Sequence, residues 1–323
     1  MRRRTLFGGS IGFGLLVATG ATAQTGRSAR IGLLANAALA EGLEAFTSEM
    51  TRLGYTEGRN LALDRRLIET AEHNAELAAA LVKGTPDLLI GAGTQQVQAL
   101  QRAAGSIPVV FVNTGDPIGQ GLVASLARPG GNTTGIANFI VELAAKQLEL
   151  IVEAAPQAKR IAVFHNPTNP VSQQVLRNCL SAAPALRVEV VPFAARSPEE
   201  LREALDRLVA EKIHALAAAG GDIMIQAHSR QIAEFALQRR LPTIFNLPRD
   251  ARSGGLIAYG SDVSESYRRA AVLADKILKG AKPADLPVEQ PTKFNLIVNL
   301  KTAAAIGLRL PPSLLGRADE VIE

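Results

Sequence analysis

Residues 87–117 read DLLIGAGTQQVQALQRAAGSIPVVFVNTGDP, and this stretch predicts a strand, a helix and a second strand. Apolar runs of strand length occupy Asp87 to Ile90 and Val109 to Val112, and a helical pattern separates them. Strands that alternate with helices in this way form parallel sheets covered by helices on both faces. The stretch therefore predicts an α/β fold with a doubly wound parallel sheet.

The same alternation extends through the rest of the chain in two series. Turn-rich residues between Pro129 and Phe139, including Gly130 and Gly131, separate the first series from the second. We therefore predict two doubly wound parallel-sheet lobes in tandem. The further strand runs lie at Arg30 to Ala35, Leu61 to Ile68, Ile161 to Phe164, Val188 to Val191, Ala215 to Ala218 and Thr243 to Phe245.

One helix carries a complete start signal. Ser197 and Glu200 form a capping-box pattern around Pro198, which occupies the first turn. Leu201, Leu205 and Leu208 then repeat at helical spacing. These residues predict an amphipathic helix over Pro198 to Ala210.

Length and composition exclude several classes of protein. A chain of 323 residues fits two lobes of roughly 100–200 residues each. Its single cysteine, Cys179, excludes an intramolecular disulfide and a zinc site made of cysteines. A hydrophobic fraction of 47% with 20% charged residues is typical of a chain that buries a core, and it excludes disorder.

The formal charge of +5 resides partly in an N-terminal segment. Arg2, Arg3 and Arg4 precede an apolar run, and Ala21-Thr22-Ala23 follows it in the pattern of an export signal with an A-x-A cleavage site. Loss of residues 1–23 leaves 32 basic and 30 acidic residues, a net charge of about +2. We expect a signal peptide over 1–23, export by the Sec or Tat route, and a periplasmic protein.

Ligands of open parallel sheets bind beyond the carboxyl ends of the strands, and small polar residues occupy those positions here. A cleft between two lobes that is lined by such loops fits a small polar solute. The candidate ligand-binding residues at these strand ends are Asn36, Gly93, Thr94, Gln95, Asn113, Asp116, His165, Asn166, Asp222 and Asn246.

Several of these candidates have a structural interpretation as well as a binding one. Thr94 lies at a helix start whose amides bind anions, and it is also an ordinary N-cap residue. Asp116 pairs a ligand ammonium or braces its own turn before Pro117. Asp222 contacts ligand or caps the following helix. Asn169 is interpreted as a cap, which leaves Asn166 as the better ligand candidate.

The sequence lacks the motifs of catalytic, metal-binding and nucleic-acid-binding sites. Gly91 and Gly93 are not followed by the third glycine of the dinucleotide fingerprint, and the G-x-S-x-G match at 8–12 lies in the export signal. The four histidines have no metal-ligand spacing, so no metal or other cofactor is expected. Cys179 lies within a predicted helix and is interpreted as a packed thiol. With a mature charge near +2, no nucleic acid partner is expected.

Four segments resemble a known family. Residues 108–117 (PVVFVNTGDP), 126–135 (LARPGGNTTG), 279–294 (KGAKPADLPVEQPTKF) and 310–315 (LPPSLL) resemble the substrate-binding proteins of ABC transporters that are related to tryptophan and tyrosine binders. The resemblance spans essentially the whole mature chain. It implies a type I periplasmic binding fold, a permease with ATPase subunits as partner, and no enzymatic activity.

The resemblance also implies a three-segment hinge, with crossovers near Asn138, at Tyr259 to Asp262, and at Glu289 to Thr292. We expect an N-terminal lobe of residues 28–138 plus 262–290 and a C-terminal lobe of residues 139–261 plus 291–323. Tyr259 and Asp262, at the second crossover, join the candidate ligand-binding residues.

We expect the cleft to hold an amino acid or a related small carboxylate, and we expect the protein to be a monomer. The solute would be bound from one lobe by the backbone amides near Thr94 and by the Asp116 side chain. It would be bound from the other lobe by Asn166, Asp222 or Tyr259. The chain has no Trp, so any aromatic stacking comes from Phe or Tyr. The alternative function is a ligand sensor that signals to a membrane receptor. Neighbouring genes for a permease and an ATPase would favour transport, whereas a neighbouring kinase gene would favour sensing.

Overall fold

A computed structural model describes residues 28–36, 40–68, 73–218 and 220–323. Among those residues, no helix has the length and apolar character needed to cross a bilayer. The predicted signal peptide lies outside the described residues. The strands and helices are β1 Ala29–Asn36, α1 Ala40–Arg52, β2 Leu61–Ile68, α2 Asn74–Lys83, β3 Leu88–Ala92, α3 Thr94–Ala104, β4 Val109–Gly115, β5 Thr133–Asn138, α4 Ile140–Ala154, β6 Arg160–His165, α5 Pro170–Leu186, β7 Glu189–Ala194, α6 Pro198–Ala210, β8 Ala215–Ala218, α7 Ile223–Ala227, α8 Ser229–Gln238, β9 Thr243–Phe245, α9 Pro248–Arg252, β10 Ile257–Ser261, α10 Val263–Leu278, β11 Phe294–Asn299, α11 Leu300–Ala305, α12 Pro312–Leu315 and β12 Glu320–Ile322.

Two separate sheets organise these elements, and the predicted α/β fold with two lobes is confirmed. The first sheet has the strand order β2-β1-β3-β4-β5 and is wholly parallel. The second has the order β12-β11-β10-β9-β8-β6-β7. We call the part of the molecule built on the first sheet lobe one and the part built on the second sheet lobe two.

The antiparallel pairing of β10 with β11 departs from the predicted all-parallel sheet. Ser261 at the end of β10 pairs with Phe294 at the start of β11. Between them the chain leaves lobe two, and α10 packs in one apolar cluster with α1 through Phe46, Met50 and Tyr267. Because the chain leaves and re-enters lobe two at the same edge, β11 has to run back against β10.

Strand β5 lies in the segment that the sequence predicted as a turn-rich joint. Thr133 to Asn138 add to the edge of lobe one beside β4, with Thr133 opposite Val109. Gly135 makes this pairing possible, because a Cβ there would lie 2.2 Å from the backbone oxygen of Phe111. Glu289 then bonds to this strand through Gly135 and Ala137, so the late segment of the chain returns to lobe one.

Residue boundaries agree best where the sequence signal is local. Helix α6 occupies the predicted residues, and the hydroxyl of Ser197 accepts a hydrogen bond from the Glu200 amide at 3.2 Å. Strands β2, β8 and β9 also occupy the predicted residues. The exact limits of the two lobes remain a prediction.

Candidate functional site

The ends of β3 and β4 in lobe one face the starts of α4 and α5 in lobe two. Between them lies a small cavity. Among the described residues, no charged side chain lines this cavity, which we call the central cavity. Its lining residues are Ala92, Gly93, Thr94, Gln95, Gln96, Asn113 and Gly115 from lobe one, Asn138 at the crossing, and Ile140, Asn169, Val171, Gly221 and Gln226 from lobe two.

The N-terminus of α3 opens directly onto the central cavity. Gly93 is the N-cap residue, with φ of 102°, and Thr94 is the first helical residue. The structure therefore places the cap one residue before Thr94, because the left-handed backbone at Gly93 suits glycine. No side chain among the described residues caps this end. The amides of the first turn are thus available to an anion.

Asn113 and Asn138 join the last residues of β4 to the crossing between the lobes. Asn113 has a left-handed backbone, with φ of 57°, and the register shifts between Val112 and Thr114. The Asn138 side chain donates to the backbone oxygen of Asn113 at 3.0 Å and to its Oδ1 at 3.1 Å. Both residues line the central cavity beside this bulge. Asn113 was a sequence candidate, and Asn138 was placed only at a crossover.

Asp116 lies in the turn that follows β4, outside the lining of the central cavity. Its backbone is left-handed, with φ of 45°, and its Oδ1 accepts from the Gly119 amide at 2.9 Å. This geometry is that of a carboxylate that braces its own turn. A direct contact of Asp116 with ligand remains a prediction.

Asn166, Asn169 and Asp222 form one buried network in lobe two. Asp222 Oδ2 accepts from Asn166 Nδ2 at 3.0 Å and from Asn169 Nδ2 at 2.9 Å, and its Oδ1 accepts from the Met224 amide at 3.0 Å. Burial is the main cause that raises the pKa of Asp222, against the lowering effect of these hydrogen bonds. Asn169 Oδ1 caps α5, as predicted.

Both polar atoms of the Asn166 side chain are already hydrogen-bonded within lobe two and are not left for a ligand. Its Oδ1 accepts from the amide and the hydroxyl of Thr168, and its Nδ2 is bonded to Asp222. His165, just before it, is 8% exposed, and its Nδ1 has no hydrogen-bond partner among the described residues. Burial lowers the pKa of His165 and so favours the neutral ring. Of these strand-end residues, Asn169 rather than Asn166 or Asp222 lines the central cavity.

A second, smaller cavity adjoins the central one near the crossings and shares Asn113, Asn138 and Ile140 with it. We call it the hinge-side cavity. Asn246 lines it from the end of β9. Tyr259 lies nearby, with its ring centroid 6.3 Å from that of Phe294. The candidate Asn246 is thus brought close to Asn113, and Tyr259 belongs to the neighbouring aromatic group.

Asp262 lies at a third cavity, between α1 and α9. Its Oδ1 caps α10 by accepting from the amides of Ser264 and Glu265. Arg249 lines the same cavity, and its Nε lies 3.6 Å from Asp250 Oδ1. Asn36 ends β1, and its side chain lies outside the described part of the structure. Six of the twelve candidates therefore line one of three cavities: Gly93, Thr94, Gln95 and Asn113 the central one, Asn246 the hinge-side one and Asp262 the third.

The family profile described as "ABC transporter substrate binding protein" matches residues 31–322. The chain belongs to this family. The resemblance noted in four sequence segments is thereby confirmed over nearly the whole described chain. Members of this family are solute-binding proteins rather than enzymes, and the cleft between the two lobes is the part of the structure suited to a solute.

Three known proteins illustrate the similarity. A curated protein named "Tyrosine-binding protein" from Clostridioides difficile is 26% identical over 278 residues, 86% of this chain and 79% of the relative. The crystal structure of a conserved domain protein from Vibrio cholerae has a TM-score of 0.85 and 25% identity. An ABC domain in complex with L-Trp from Streptococcus pneumonia has a TM-score of 0.84 and 26% identity. Each structure matches 91% of this chain and 100% of its own.

More distant structures share only the fold. An ABC transporter solute-binding protein from Agrobacterium vitis has a TM-score of 0.65 at 16% identity over 89% of this chain. The two-lobed type I periplasmic binding fold is therefore shown for this substrate-binding protein.

Several polar cavity residues are not among the sequence candidates. Gln147, Gln226 and Arg249 lie on helices, to which the strand-end rule does not apply, and Asn138 ends β5, a strand that the sequence did not predict. Within the described ranges, no group of three or more His, Cys, Asp or Glu side chains has the geometry of a metal site.

We predict that Cys179 is unreactive in the folded protein. The thiol is 3% exposed in lobe two, and burial raises its pKa to about 12. It therefore stays protonated near pH 8, where only thiolates attack disulfide reagents. An aromatic disulfide reagent should label no thiol in the native protein and one per chain after denaturation. Rapid labelling of the native protein would contradict the packing of α5 described here.

Proposed function

We propose that this chain is the extracytoplasmic solute-binding component of an ABC importer. In this proposal it captures an amino acid or a related small carboxylate in the cleft and delivers it to a membrane permease. One observation carries the proposal: the central cavity is lined by neutral polar groups from both lobes, including Thr94 and Asn113 from lobe one and Asn169 and Gln226 from lobe two. A solute bound there touches both lobes at once.

The uncapped start of α3 supports a carboxylate as one of the groups bound. Amides at a helix N-terminus point outward, and the helix dipole places partial positive charge there. Gly93, Thr94 and Gln95 line the cavity at this point. Because no described charged side chain lines the cavity, these amides are its main source of positive potential.

The relatives support an amino acid as the solute. One is named as a tyrosine-binding protein, and another was crystallised with L-Trp. We infer that this chain takes an amino acid of the same aromatic class. The absence of tryptophan from the chain does not oppose this inference, because Phe139, Tyr259 and Phe294 form an aromatic group beside the hinge-side cavity.

In this proposal the three crossings act as a hinge. They lie near Asn138, at Tyr259 to Asp262 and at Glu289 to Thr292, and they divide the chain into lobes of residues 28–138 plus 262–290 and 139–261 plus 291–323. A ligand that touches both lobes stabilises the closed arrangement because it binds that state better than the open one. The closed form is then recognised by the permease.

We further propose that the mature chain works outside the cytoplasm as a monomer. The Arg2-Arg3-Arg4 start, the apolar run and the A-x-A pattern at 21–23 support export. Membership of an ABC transporter family supports a permease with ATPase subunits as the partner.

A thermal-shift screen followed by calorimetric titration tests the proposal. We expect L-tyrosine or L-tryptophan to raise the melting temperature of the mature protein, since a ligand specific to the native state stabilises it. The chain contains no Trp, so changes in tryptophan fluorescence on binding would come from L-tryptophan alone. Tyramine and tryptamine, which lack only the carboxylate, serve as matched control ligands.

The relative affinities for these ligands decide between support for the proposal and contradiction of it. Binding of the amino acids at least about 100-fold tighter than the amines would support a carboxylate at the start of α3. Equal binding of the amines would contradict that placement. A shift caused by sugars or nucleosides and by none of the amino or organic acids would contradict the solute class.

A further inference from the structure

Two buried amide oxygens in the hinge-side cavity have no hydrogen-bond partner. Gln147 on α4 is 1% exposed, Asn246 after β9 is 7% exposed, and both residues line this cavity. Gln147 Oε1 and Asn246 Oδ1 lack any partner among the described residues. Buried polar atoms in native proteins are nearly always hydrogen-bonded, and an unpaired one is costly. A pair of unpaired acceptors at one small cavity indicates a place for a hydrogen-bond donor.

The orientation of the Gln147 amide follows from its other contact. Gln147 Nε2 donates to the backbone oxygen of Tyr259 at 2.8 Å. A carbonyl oxygen accepts only from the NH₂ end of the amide, so the opposite end of the group is the oxygen. Gln147 therefore presents an acceptor, and it is held in place by strand β10.

The surroundings select an uncharged donor over a cation. Phe139, Leu143 and Leu247 line the hinge-side cavity, and none of its described lining residues is charged. An ammonium group placed there would be desolvated without a countercharge, which is strongly unfavourable. An N–H or O–H on an apolar or aromatic body satisfies both the oxygens and the apolar wall.

The hinge-side cavity adjoins the central cavity. Asn113, Asn138 and Ile140 line both. A ligand whose carboxylate lies at the start of α3 can therefore extend its far end toward Gln147 and Asn246. Phe139, which packs edge-on against Phe294 with ring centroids 5.6 Å apart, forms an aromatic wall at that end.

We propose that Gln147 and Asn246 form a subsite that reads a hydrogen-bond donor at the far end of an aromatic amino acid. This proposal rests on the proposed function and names the solute more closely. The subsite accepts the phenol O–H of tyrosine or the indole N–H of tryptophan, and it disfavours phenylalanine, which leaves both oxygens unpaired. Sites built to bond a ligand donor reject analogues that lack it far more strongly than apolar pockets do.

The test compares L-tyrosine, L-tryptophan and L-phenylalanine by calorimetry on the wild type and on Asn246→Leu and Gln147→Leu. The wild type should bind the better of the two donor-bearing ligands about 100-fold or more tightly than phenylalanine. Asn246→Leu should reduce this ratio at least tenfold, mainly by weakening the donor-bearing ligand. Gln174→Leu, on α5 and outside the lining of both cavities, is the matched control and should leave the ratio unchanged.

Each outcome bears on the proposal. Equal affinity of the wild type for all three amino acids, or an unchanged ratio in Asn246→Leu and Gln147→Leu, would overturn it and indicate that the oxygens hold only a structural water. If a variant fails to fold, the wild-type ratio alone still decides. Failure of all three amino acids to bind would instead contradict the proposed aromatic solute and, with it, this subsite.

Discussion

Replacing Gly115 by alanine is expected to weaken solute binding about tenfold while both lobes stay folded. Gly115 ends β4 in lobe one, and a Cβ there would lie 2.9 Å from Val171 Cγ1 and 3.2 Å from Ile140 Cγ2. Both contacts are with lobe two, and a third, 3.3 Å to Asn138 Oδ1, lies at the crossing, so the added methyl group mainly opposes closure. Overpacking of this kind costs about 1–3 kcal/mol, and about 1.4 kcal/mol equals a tenfold change in affinity.

Gly32→Ala is the matched control. A Cβ at Gly32 would lie 2.9 Å from Leu89 Cδ2 and 3.2 Å from Leu81 Cδ2, which both belong to lobe one. This variant should lose some stability and keep its affinity, as measured by calorimetric titration with the solute found in the screen. Affinity of Gly115→Ala equal to wild type would mean that closure of this contact plays no part in binding. Gly115→Val should weaken binding further, by about 100-fold.

Replacing Asp222 by alanine is expected to cost about 2–4 kcal/mol of unfolding free energy. The carboxylate satisfies three donors in a site where Asp222 is 2% exposed: the side-chain amides of Asn166 and Asn169 and the backbone amide of Met224. Its removal leaves these donors buried and unpaired. For a chain of this length, the melting temperature should fall by about 3–6 °C.

Asp262→Ala is the control for a loss of capping alone. Asp262 also caps a helix, but it is exposed and joins no buried network. Its replacement should cost about 1 kcal/mol. Equal losses of stability in the two variants, measured by thermal and denaturant unfolding, would contradict the structural role assigned to the Asp222 network.

The Asp222 effect should also depend on pH. Burial raises the pKa of Asp222 in the folded state, so the native protein binds its proton more tightly than the unfolded chain does. The contribution of Asp222 is therefore fully present below the unfolded-state pKa of about 3.9, and it is lost as the pH rises through the folded pKa. The stability difference between wild type and Asp222→Ala should shrink between about pH 4 and neutrality. A difference that grows with pH would contradict this sign.

Local signals in the sequence predict a large part of the fold. Apolar runs at Leu61–Ile68 and Thr243–Phe245 and the cap at Ser197 depend on neighbouring residues only, and the structure matches them. Strand β5 was not predicted from the sequence, because Thr133–Asn138 lies in a segment rich in glycine. This segment becomes a strand through its pairing with β4. The reversed direction of β11 depends on where the chain re-enters lobe two, which no local pattern encodes.

The strand-end rule finds residues of the cleft, and their contact with a solute stays a prediction. It selected Gly93, Thr94, Gln95 and Asn113, which line the central cavity. It does not separate ligand contacts from internal bonds, because that distinction needs distances. The pairing of Asn166 with Asp222 joins residues 56 positions apart and appears only in three dimensions. Gln147 lies within α4, where helical periodicity predicts burial and says nothing of its amide.

Small-angle scattering during a solute titration tests the central claim that one solute bridges the two lobes. The mature protein, freed of bound solute by unfolding and refolding, is titrated with the amino acid found in the screen, beside Gly115→Val. We predict that the radius of gyration of the wild type falls on saturation, while that of Gly115→Val stays at its starting value at the same solute concentration. Saturable binding to the wild type with no change in scattering would contradict closure of the cleft around the solute.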